Sequence, residues 1–486
     1  VKKGAAMAIR YLLGQKLRSL DPASPTETVL DHLRLVCHRT GTKEGCAEGD
    51  CGACTVVLGE LHGDEITYRA VNSCIQFVGV LDGRQLITVE DLRQPDGSLH
   101  PVQQAMVDAH GSQCGFCTPG IVMSLFAQYR NRRSGGVQET ADALAGNLCR
   151  CTGYGPILKA AEMALAQRRD DSFDAQKEDT VAMLKRISVA GSAGAYIAPR
   201  SADELAEVYA AHPQATLVAG GTDVGLWVTK QHRDLAMVIA LSGVVDLQNI
   251  IEKSTHLTIG AAVTYAQLLP ALAPLWPDFA EIVRRLGSAQ VRNVATIGGN
   301  IANGSPIGDG PPCLIALDAT VILRHGHARR TLPLEEFFLA YGKQDRRPGE
   351  FVEAVELPKP QPGWWFRAYK ISKRFDQDIS ALLGAFHVKI DAGRVADIRI
   401  AFGGMAAVPK RALATEAALR GKPWSEASIV AAIPALAEDY QPISDMRASA
   451  AYRSKVAGNL LHKCYLELSV SGGETRITFA GRRAHG

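Results

Sequence analysis

The chain is 486 residues long, too long for a single hydrophobic core, and predicts roughly three or four domains. Lys and Arg number 53 against 50 Asp and Glu, a net charge of +3 that leaves no electrostatic footprint for nucleic acid or a membrane surface. Hydrophobic residues make up 47% of the chain, yet no uninterrupted apolar run approaches the roughly 18 residues of a spanning helix, so a soluble globular protein is expected.

The opening VKKGAAMAIRYLLG is basic and then apolar, but Arg10 interrupts it and no A-x-A-like site follows. It predicts a few unstructured residues before a strand, with Met7 a candidate start, rather than a signal peptide. The expected location is therefore a reducing cytoplasm, where thiols serve as ligands more often than as disulfides. AIRYLL, a Gly-Gln turn and KLRSL predict a hairpin. TETVLDHLRLV has the apolar spacing of a helix, and TVVLGEL and ITYRAV predict further strands.

Between that helix and strand lies GTKEGCAEGDCGACTVVLG. Cys46-x4-Cys51-x2-Cys54, followed by Cys74, is the plant-type [2Fe–2S] spacing. Four thiolates must wrap a compact anion, and Gly45, Gly49 and Gly52 let the backbone turn tightly and bring N–H donors to the sulfurs. Four cysteines can also bind zinc, but zinc ribbons pair two C-x2-C units and this group has one. Cys37, without partners at ligand spacing, is expected to be a half-buried thiol.

A second set follows in GSQCGFCTPG and GNLCRCTGYGPI: Cys114-x2-Cys117 and Cys149-x-Cys151. The surroundings predict helices: PVQQAMVDAHG, a helix opened by Pro119, TADALAGNL, and a helix opened by Pro156. Both thiol pairs then sit at helix beginnings, where free N–H groups favour an anionic cluster. Zinc remains an alternative for this set taken alone.

A strand-rich cluster domain followed by C-G-F-C-T-P-G and N-L-C-R-C-T-G-Y resembles the iron–sulfur portion of the molybdenum hydroxylases, the xanthine dehydrogenase/aldehyde oxidase family. The resemblance implies a β-grasp ferredoxin-like domain over 7–90 and a helical-bundle [2Fe–2S] domain over 91–168. QRRDDSFDAQKEDT is charged with little apolar periodicity, and 169–190 is expected to be a linker.

Beyond it, Ser201 is expected to cap a helix, and ATLVAGGTDVG predicts a strand entering a glycine turn. A second glycine loop, ATIGGNIANGSPIGD, spans 295–309. Their spacing does not fit the Rossmann fingerprint. The first alone is equally consistent with an ordinary strand, turn and helix. Together they resemble the FAD domain of the same family, in the vanillyl-alcohol-oxidase-like class, expected over 191–370. The resemblance implies that Leu217, Val218, Ala219, Gly220, Gly221, Thr222, Asp223 and Val224 follow the FAD pyrophosphate and ribityl chain. It assigns Thr296, Gly299, Asn300 and Asp309 to further contacts, places Leu286 near the adenine in place of an aromatic residue, and puts Val352 and Lys370 beside the cofactor. Without that context Lys370 would be a solvated lysine on a strand. Residues 371–475 resemble the small α+β domain closing these flavoproteins, with Cys313 and Cys464 core thiols.

The overall expectation is a multidomain α+β protein that works as an electron-transfer subunit. No segment resembles the family's molybdenum-binding domain. The resemblance implies a xanthine-dehydrogenase-like small subunit holding two [2Fe–2S] clusters and FAD. Its partner would be a molybdenum–pterin large subunit in a heterotetramer, hydroxylating purines, with NAD+ the acceptor. Gln113 matches a glutamine reaching toward the partner's pterin, although it could instead cap its own helix. Tyr341 and Asp378 are NAD-site candidates, with Arg346, Arg347, Lys373 and Arg374 forming a cationic rim and Asp376 moderating it. The alternatives are the same role for an aldehyde or N-heterocycle, or a stand-alone iron–sulfur flavoprotein diaphorase.

Overall fold

The computed structural model describes residues 9–20, 24–131, 136–166, 168–187, 192, 193 and 195–469. They form two compact units. The first comprises the chain up to Leu205 with Gln214–Val244 and Gly287–Ala295; the second comprises Ala206–Pro213, Val245–Leu286 and the chain from Thr296.

The first unit begins with a five-stranded mixed sheet. The expected hairpin is present: Ile9–Leu13 pairs antiparallel with Lys16–Leu20, in register Ile9↔Leu20. Gln85–Ile87 lies parallel to the first strand and antiparallel to Thr55–His62, which in turn pairs with Glu65–Asn72. The two-residue side-chain period of the third strand splits two cores. Val56 and Leu58 face Tyr11, Leu33 and Leu86, whereas Val57 faces Met123 and Phe126 of the helical domain. The expected helix forms as one turn at Val29–Asp31, capped by Thr28, continuing as a π-helix over His32–Val36. Cys37 ends it, half-buried.

The helical domain is built from Pro101–Asp108, Thr118–Arg130, Val137–Leu144 and Gly155–Ala166. Pro101 and Pro119 occupy first turns, where a missing N–H costs nothing. From Gly120 to Arg130 every residue of the second helix is buried, as befits a central helix.

The segment expected to be a linker is instead helical and packed. Asp171 caps Ser172–Ala175, and Lys177–Arg186 follows. Phe173 inserts against Phe126, and Leu184 and Ile187 pack on Leu12. The Asp171 carboxylate accepts from His100 Nε2 at 2.9 Å and from the Arg130 guanidinium at 2.8 Å. Burying a few large apolar side chains stabilises helices whose remaining faces are charged.

A small sheet ordered Ser192–Ala193, Tyr196–Ile197, Val238–Ala240, Thr216–Val218 completes this unit and packs on Ile9, Phe77 and Val78. Ser201 caps the next helix as expected, accepting the Glu204 N–H at 3.1 Å.

The second unit holds two larger antiparallel sheets and a two-stranded one, Phe338–Ala340 with Lys343–Gln344. One is ordered Ile250–Glu252, His256–Gly260, Phe351–Pro358, Thr320–His325, Ala328–Pro333. The other runs Trp364–Ile371, Leu382–Asp391, Arg394–Gly403, Lys410–Arg411, with Ala450–Ser469 packed on it. Its first strand carries Lys370. Cys313 and Cys464 are both fully buried. No helix among the described residues is long and apolar enough to cross a membrane.

Candidate functional site: two thiol quartets and two glycine loops

The N-terminal cysteine loop is curled by three left-handed positions: Ala47 at φ 53°, Gly49 at φ 78° and Gly52 at φ 71°. The curl aims the N–H groups of Glu48, Asp50 and Cys51 at the Cys46 sulfur, at 3.4, 3.3 and 3.3 Å. Asn72 anchors the loop by donating to the Gly49 carbonyl at 2.8 Å. Interactions between neighbouring thiols link Cys46 to Cys51, Cys46 to Cys74, and Cys54 to Cys74. They hold Cys46 and Cys54 below the ordinary thiol range and push Cys51 and Cys74 above it.

In the helical domain the thiols form two pairs, Cys114 with Cys151 and Cys117 with Cys149. Burial, then the contact with Cys149, pushes Cys117 up to about 12. Cys117 is the N-cap residue of Thr118–Arg130, and Cys149 accepts or donates with the Thr152 hydroxyl at 3.2 Å. Among the described residues no three His, Cys, Asp or Glu side chains could hold a single metal ion. Four gathered thiols with N–H donors aimed at sulfur suit an anionic two-iron cluster. Both quartets therefore fit [2Fe–2S] clusters, which Cys46, Cys51, Cys54 and Cys74 and Cys114, Cys117, Cys149 and Cys151 would hold.

The two cysteine loops touch. The Leu148 N–H donates to the Cys51 carbonyl at 3.0 Å. Asn147 donates to Gly52 O at 3.1 Å and to the Thr55 hydroxyl at 3.2 Å, and its Oδ1 accepts from Ser124 at 2.6 Å and Gln290 at 2.9 Å. Only glycines permit this approach: a Cβ on Gly52 would lie 2.2 Å from Gly146 O, and one on Gly120 would lie 2.1 Å from Gly52 O. Lys43 adds a bond to Gly115 O at 3.3 Å. Cys114 and Cys151 are exposed, whereas Cys54 and Cys74 are buried, so the helical quartet is the one open to solvent. Gln113 is exposed beside Cys114, and the cap position of the following helix belongs to Cys117 rather than to Gln113.

The first glycine loop lies in the first unit. Leu217 and Val218 end the strand Thr216–Val218, and Ala219–Asp223 turn into the helix Val224–Thr229. Asp223 accepts the Trp227 indole N–H at 3.0 Å. Gly221 has φ +68°. A Cβ on Gly220 would lie 1.9 Å from Val294 O, so this glycine is required by protein packing whatever else the turn holds. The turn itself is only half-buried.

The second loop lies in the second unit. Thr296 caps Ile297–Asn303 by accepting the Gly299 N–H at 3.0 Å, Gly299 is exposed, and Asn300 accepts from Tyr265 at 2.9 Å. Lys370, 5% exposed, pairs with Asp309 at 2.6 Å and donates to Arg285 O at 3.2 Å. The other Asp309 oxygen accepts from Ser380 at 2.5 Å. Lys370 is thus a buried ion-pair partner, not a solvated strand lysine. Leu286 is half-buried in the turn after Pro277–Arg284, and Val352 is buried opposite Leu323.

Three cations of the expected rim are engaged by partners within the protein, and the Arg347 N–H donates to the Glu350 carboxylate at 2.9 Å. Arg346 bonds the Tyr209 hydroxyl and Glu350 O, Lys373 bonds Met446 O, and Arg374 pairs with Asp378 at 3.3 Å. Asp376 lies 3.8 Å from Arg284. Tyr341 is 76% exposed.

Three family models match this chain: a [2Fe-2S] binding domain over 88–162, the FAD binding domain in molybdopterin dehydrogenase over 188–360, and the CO dehydrogenase flavoprotein C-terminal domain over 367–468. Similar proteins include xanthine dehydrogenase of Drosophila subobscura, 31% identical over 98% of this chain and 40% of its own length. Xanthine dehydrogenase/oxidase of Rattus norvegicus is 30% identical over 87% of this chain and 36% of its own. The chain spans about two-fifths of the length of these relatives. Among solved structures, carbon monoxide dehydrogenase from Hydrogenophaga pseudoflava matches with TM-score 0.53 and 29% identity, over 55% of this chain and 94% of that one. Quinoline 2-oxidoreductase from Pseudomonas putida 86 matches with TM-score 0.52 and 25% identity, over 57% of this chain and 96% of that one. Paired thiols in two loops, two glycine loops and these matches together make the chain a member of the molybdenum hydroxylase family, carrying its [2Fe–2S] and FAD domains.

Proposed function

We propose that this chain is the electron-transfer subunit of a cytoplasmic xanthine dehydrogenase, taking electrons from a molybdenum–pterin partner and delivering them to NAD+ during purine hydroxylation. The observation that carries the reading is the direct bond between cysteine loops, Leu148 to Cys51, with two exposed thiols, Cys114 and Cys151, in one quartet and none in the other. Bound clusters supply single-electron carriage, and bound FAD supplies exchange between one- and two-electron chemistry. The chain's own part is to hold eight sulfurs, aim N–H groups at them, and present Gln113 and the exposed Cys114 side to a partner.

The domains proposed are the β-grasp over 7–90, the helical cluster domain over 91–168, the vanillyl-alcohol-oxidase-like FAD domain over 191–370 and the closing domain over 371–475. Leu217–Val224, Leu286, Thr296, Gly299, Asn300, Asp309, Val352 and Lys370 are the proposed FAD residues. Similarity to proteins named xanthine dehydrogenase across nearly the whole chain supports the purine substrate. The likeness to quinoline 2-oxidoreductase keeps an N-heterocycle as the second reading. Co-purification with a molybdenum subunit, followed by anaerobic addition of xanthine, tests the proposal. Xanthine should bleach the cluster and flavin absorbance of this chain; bleaching only by an aldehyde or another heterocycle would assign a different substrate. NADH-driven dye reduction without any partner would identify a stand-alone diaphorase.

A further inference from the structure

The segment that carries Cys74 also holds the first glycine turn. Gln76, 3% exposed, donates from Nε2 to Gly220 O at 2.7 Å. The Ile75 carbonyl, one residue from Cys74, lies 2.9 Å from where a Cβ on Gly221 would stand and 2.7 Å from that of Gly225. The helix after the turn lies on the same cysteine loop. Leu226 packs on the group formed by Leu30, Cys54, Cys74 and Ile75. The Thr229 hydroxyl donates to Ala47 O at 2.8 Å, and Lys230 lies 3.7 Å from Glu48. The glycine turn is therefore pinned to the quartet on both its flanks.

We propose that Gln76 is a positioning residue for electron transfer, holding the glycine turn against the Cys74 side of the N-terminal cluster. This rests on the assignment of Leu217–Val224 to FAD. In each transfer the reduced cluster loses one electron and the flavin gains it; two transfers and two protons from solvent complete flavin reduction. Gln76 contributes geometry alone. Electron tunnelling weakens steeply with each ångström of gap, and the bond to Gly220 O fixes the gap between the Cys74 segment and the glycine turn. Gln76 reaches from the residue pair after Cys74 without disturbing any sulfur.

The test uses the full chain with clusters and flavin bound. Gln76→Leu keeps the volume and removes the donor; Thr229→Val loosens the other flank more gently. Iron content and the paramagnetic signals of the clusters are compared with the parent. Flavin reduction is then followed by absorbance after photochemical one-electron reduction of the clusters. Cluster signals should be unchanged while flavin reduction slows about tenfold or more, the order by which small misplacement slows a positioned reaction. Gln76→Glu, which keeps length but faces the Gly220 carbonyl with an acceptor in place of the donor, should be at least as slow as Gln76→Leu. An unchanged rate in both Gln76→Leu and Thr229→Val overturns the proposal. Clusters present but FAD never bound in the parent chain would overturn the FAD assignment and this proposal with it. FAD bound with unchanged transfer in both variants overturns the proposal alone.

Discussion

The Leu148 N–H donates to the Cys51 carbonyl at 3.0 Å, joining residues adjacent to one sulfur ligand and part of another. Both are main-chain groups, so the bond survives most side-chain changes. What maintains it is the packing around it: Gly52, Gly120 and Gly146 leave no space for a Cβ, and Asn147 satisfies four polar groups at once.

Asn147→Leu should therefore be costly out of proportion to its size. It removes four hydrogen bonds from a buried site and leaves Gln290, Ser124, Thr55 and the Gly52 carbonyl with only the weaker set they make among themselves. Buried groups left without partners cost about 1–3 kcal/mol each, partly relieved by rearrangement. A lowered denaturant midpoint for the iron–sulfur unit, with weaker magnetic interaction between the two reduced clusters, is the expected result. Wild-type stability and interaction would show that the network is dispensable.

Cysteine substitution should separate the quartets. Cys114→Ser removes a ligand of the helical quartet, and Cys54→Ser one of the N-terminal quartet, and no sulfur is shared between them. Each variant should lose about half the iron and one of two distinct paramagnetic signals. Iron and acid-labile sulfide assays with spectra of the dithionite-reduced chain check this. Loss of both signals from the Cys114→Ser chain would show that the quartets do not assemble independently.

The quartets were legible in the sequence because their ligands sit close together in the chain, at spacings set by cluster size. Hairpin, strands and proline-opened helices were legible for the same local reason. Asn147 lay inside a quoted motif, but its partner Gln290 is 143 residues away, and no local pattern announces such a pairing. The helices of the expected linker were hidden by charge: Val181, Leu184 and Ile187 recur at three-residue steps, yet the residues before them, 168–179, are mostly charged. The partners of the cationic rim were hidden for a related reason. Spacing showed the cations but not Tyr209, Glu350 and Met446, which occupy Arg346 and Lys373.

The Asp171 carboxylate gives the helical domain an acid-sensitive anchor. Burial pushes its pKa up, but the His100 hydrogen bond and the Arg130 charge overcome this and hold it below the usual value. A carboxylate depressed in the folded state stabilises fully above its unfolded pKa and loses that contribution as pH falls through the folded one. Stability of the parent should drop below the ordinary carboxylate range, and Asp171→Asn should lower stability at neutral pH and flatten that acid limb. Denaturant midpoints measured from neutral to acid pH, with iron retention as a second readout, decide it; parallel pH profiles would remove Asp171 from the account.

Breaking the Lys370–Asp309 pair should be more harmful than removing it. Both groups are buried and 2.6 Å apart, and Ser380 completes the carboxylate's bonding. Lys370→Met leaves Asp309 as an uncompensated buried charge, which costs about 3–5 kcal/mol. The double change Lys370→Met with Asp309→Leu should recover much of that stability but not flavin content, if these residues serve the cofactor as proposed. Thermal midpoint and bound flavin are the two readouts. Full flavin in the stable double variant would assign the pair to folding alone.

The acceptor prediction falls on Tyr341. It is 76% exposed, on a turn just after the strand Phe338–Ala340, with no burial to justify an aromatic ring there. Its removal should leave folding unchanged, since surface changes away from special features usually stay within about 0.5 kcal/mol. Two cations expected to share the acceptor site are engaged: Arg346 is held by Tyr209 and Glu350 O, and Arg374 by Asp378. An exposed ring is suited to stacking on a flat heterocycle, and the proposed acceptor carries one. Tyr341→Ala in the assembled enzyme should raise KM for NAD+ several-fold, with substrate-driven bleaching of the clusters unchanged. Asp378→Ala should free Arg374 and strengthen NAD+ binding if that guanidinium is near the acceptor. Steady-state turnover should be faster with NAD+ than with oxygen. Faster turnover with oxygen, and a Tyr341→Ala enzyme with unaltered NAD+ kinetics, would together remove NAD+ from the proposal and leave the electron-transfer role standing.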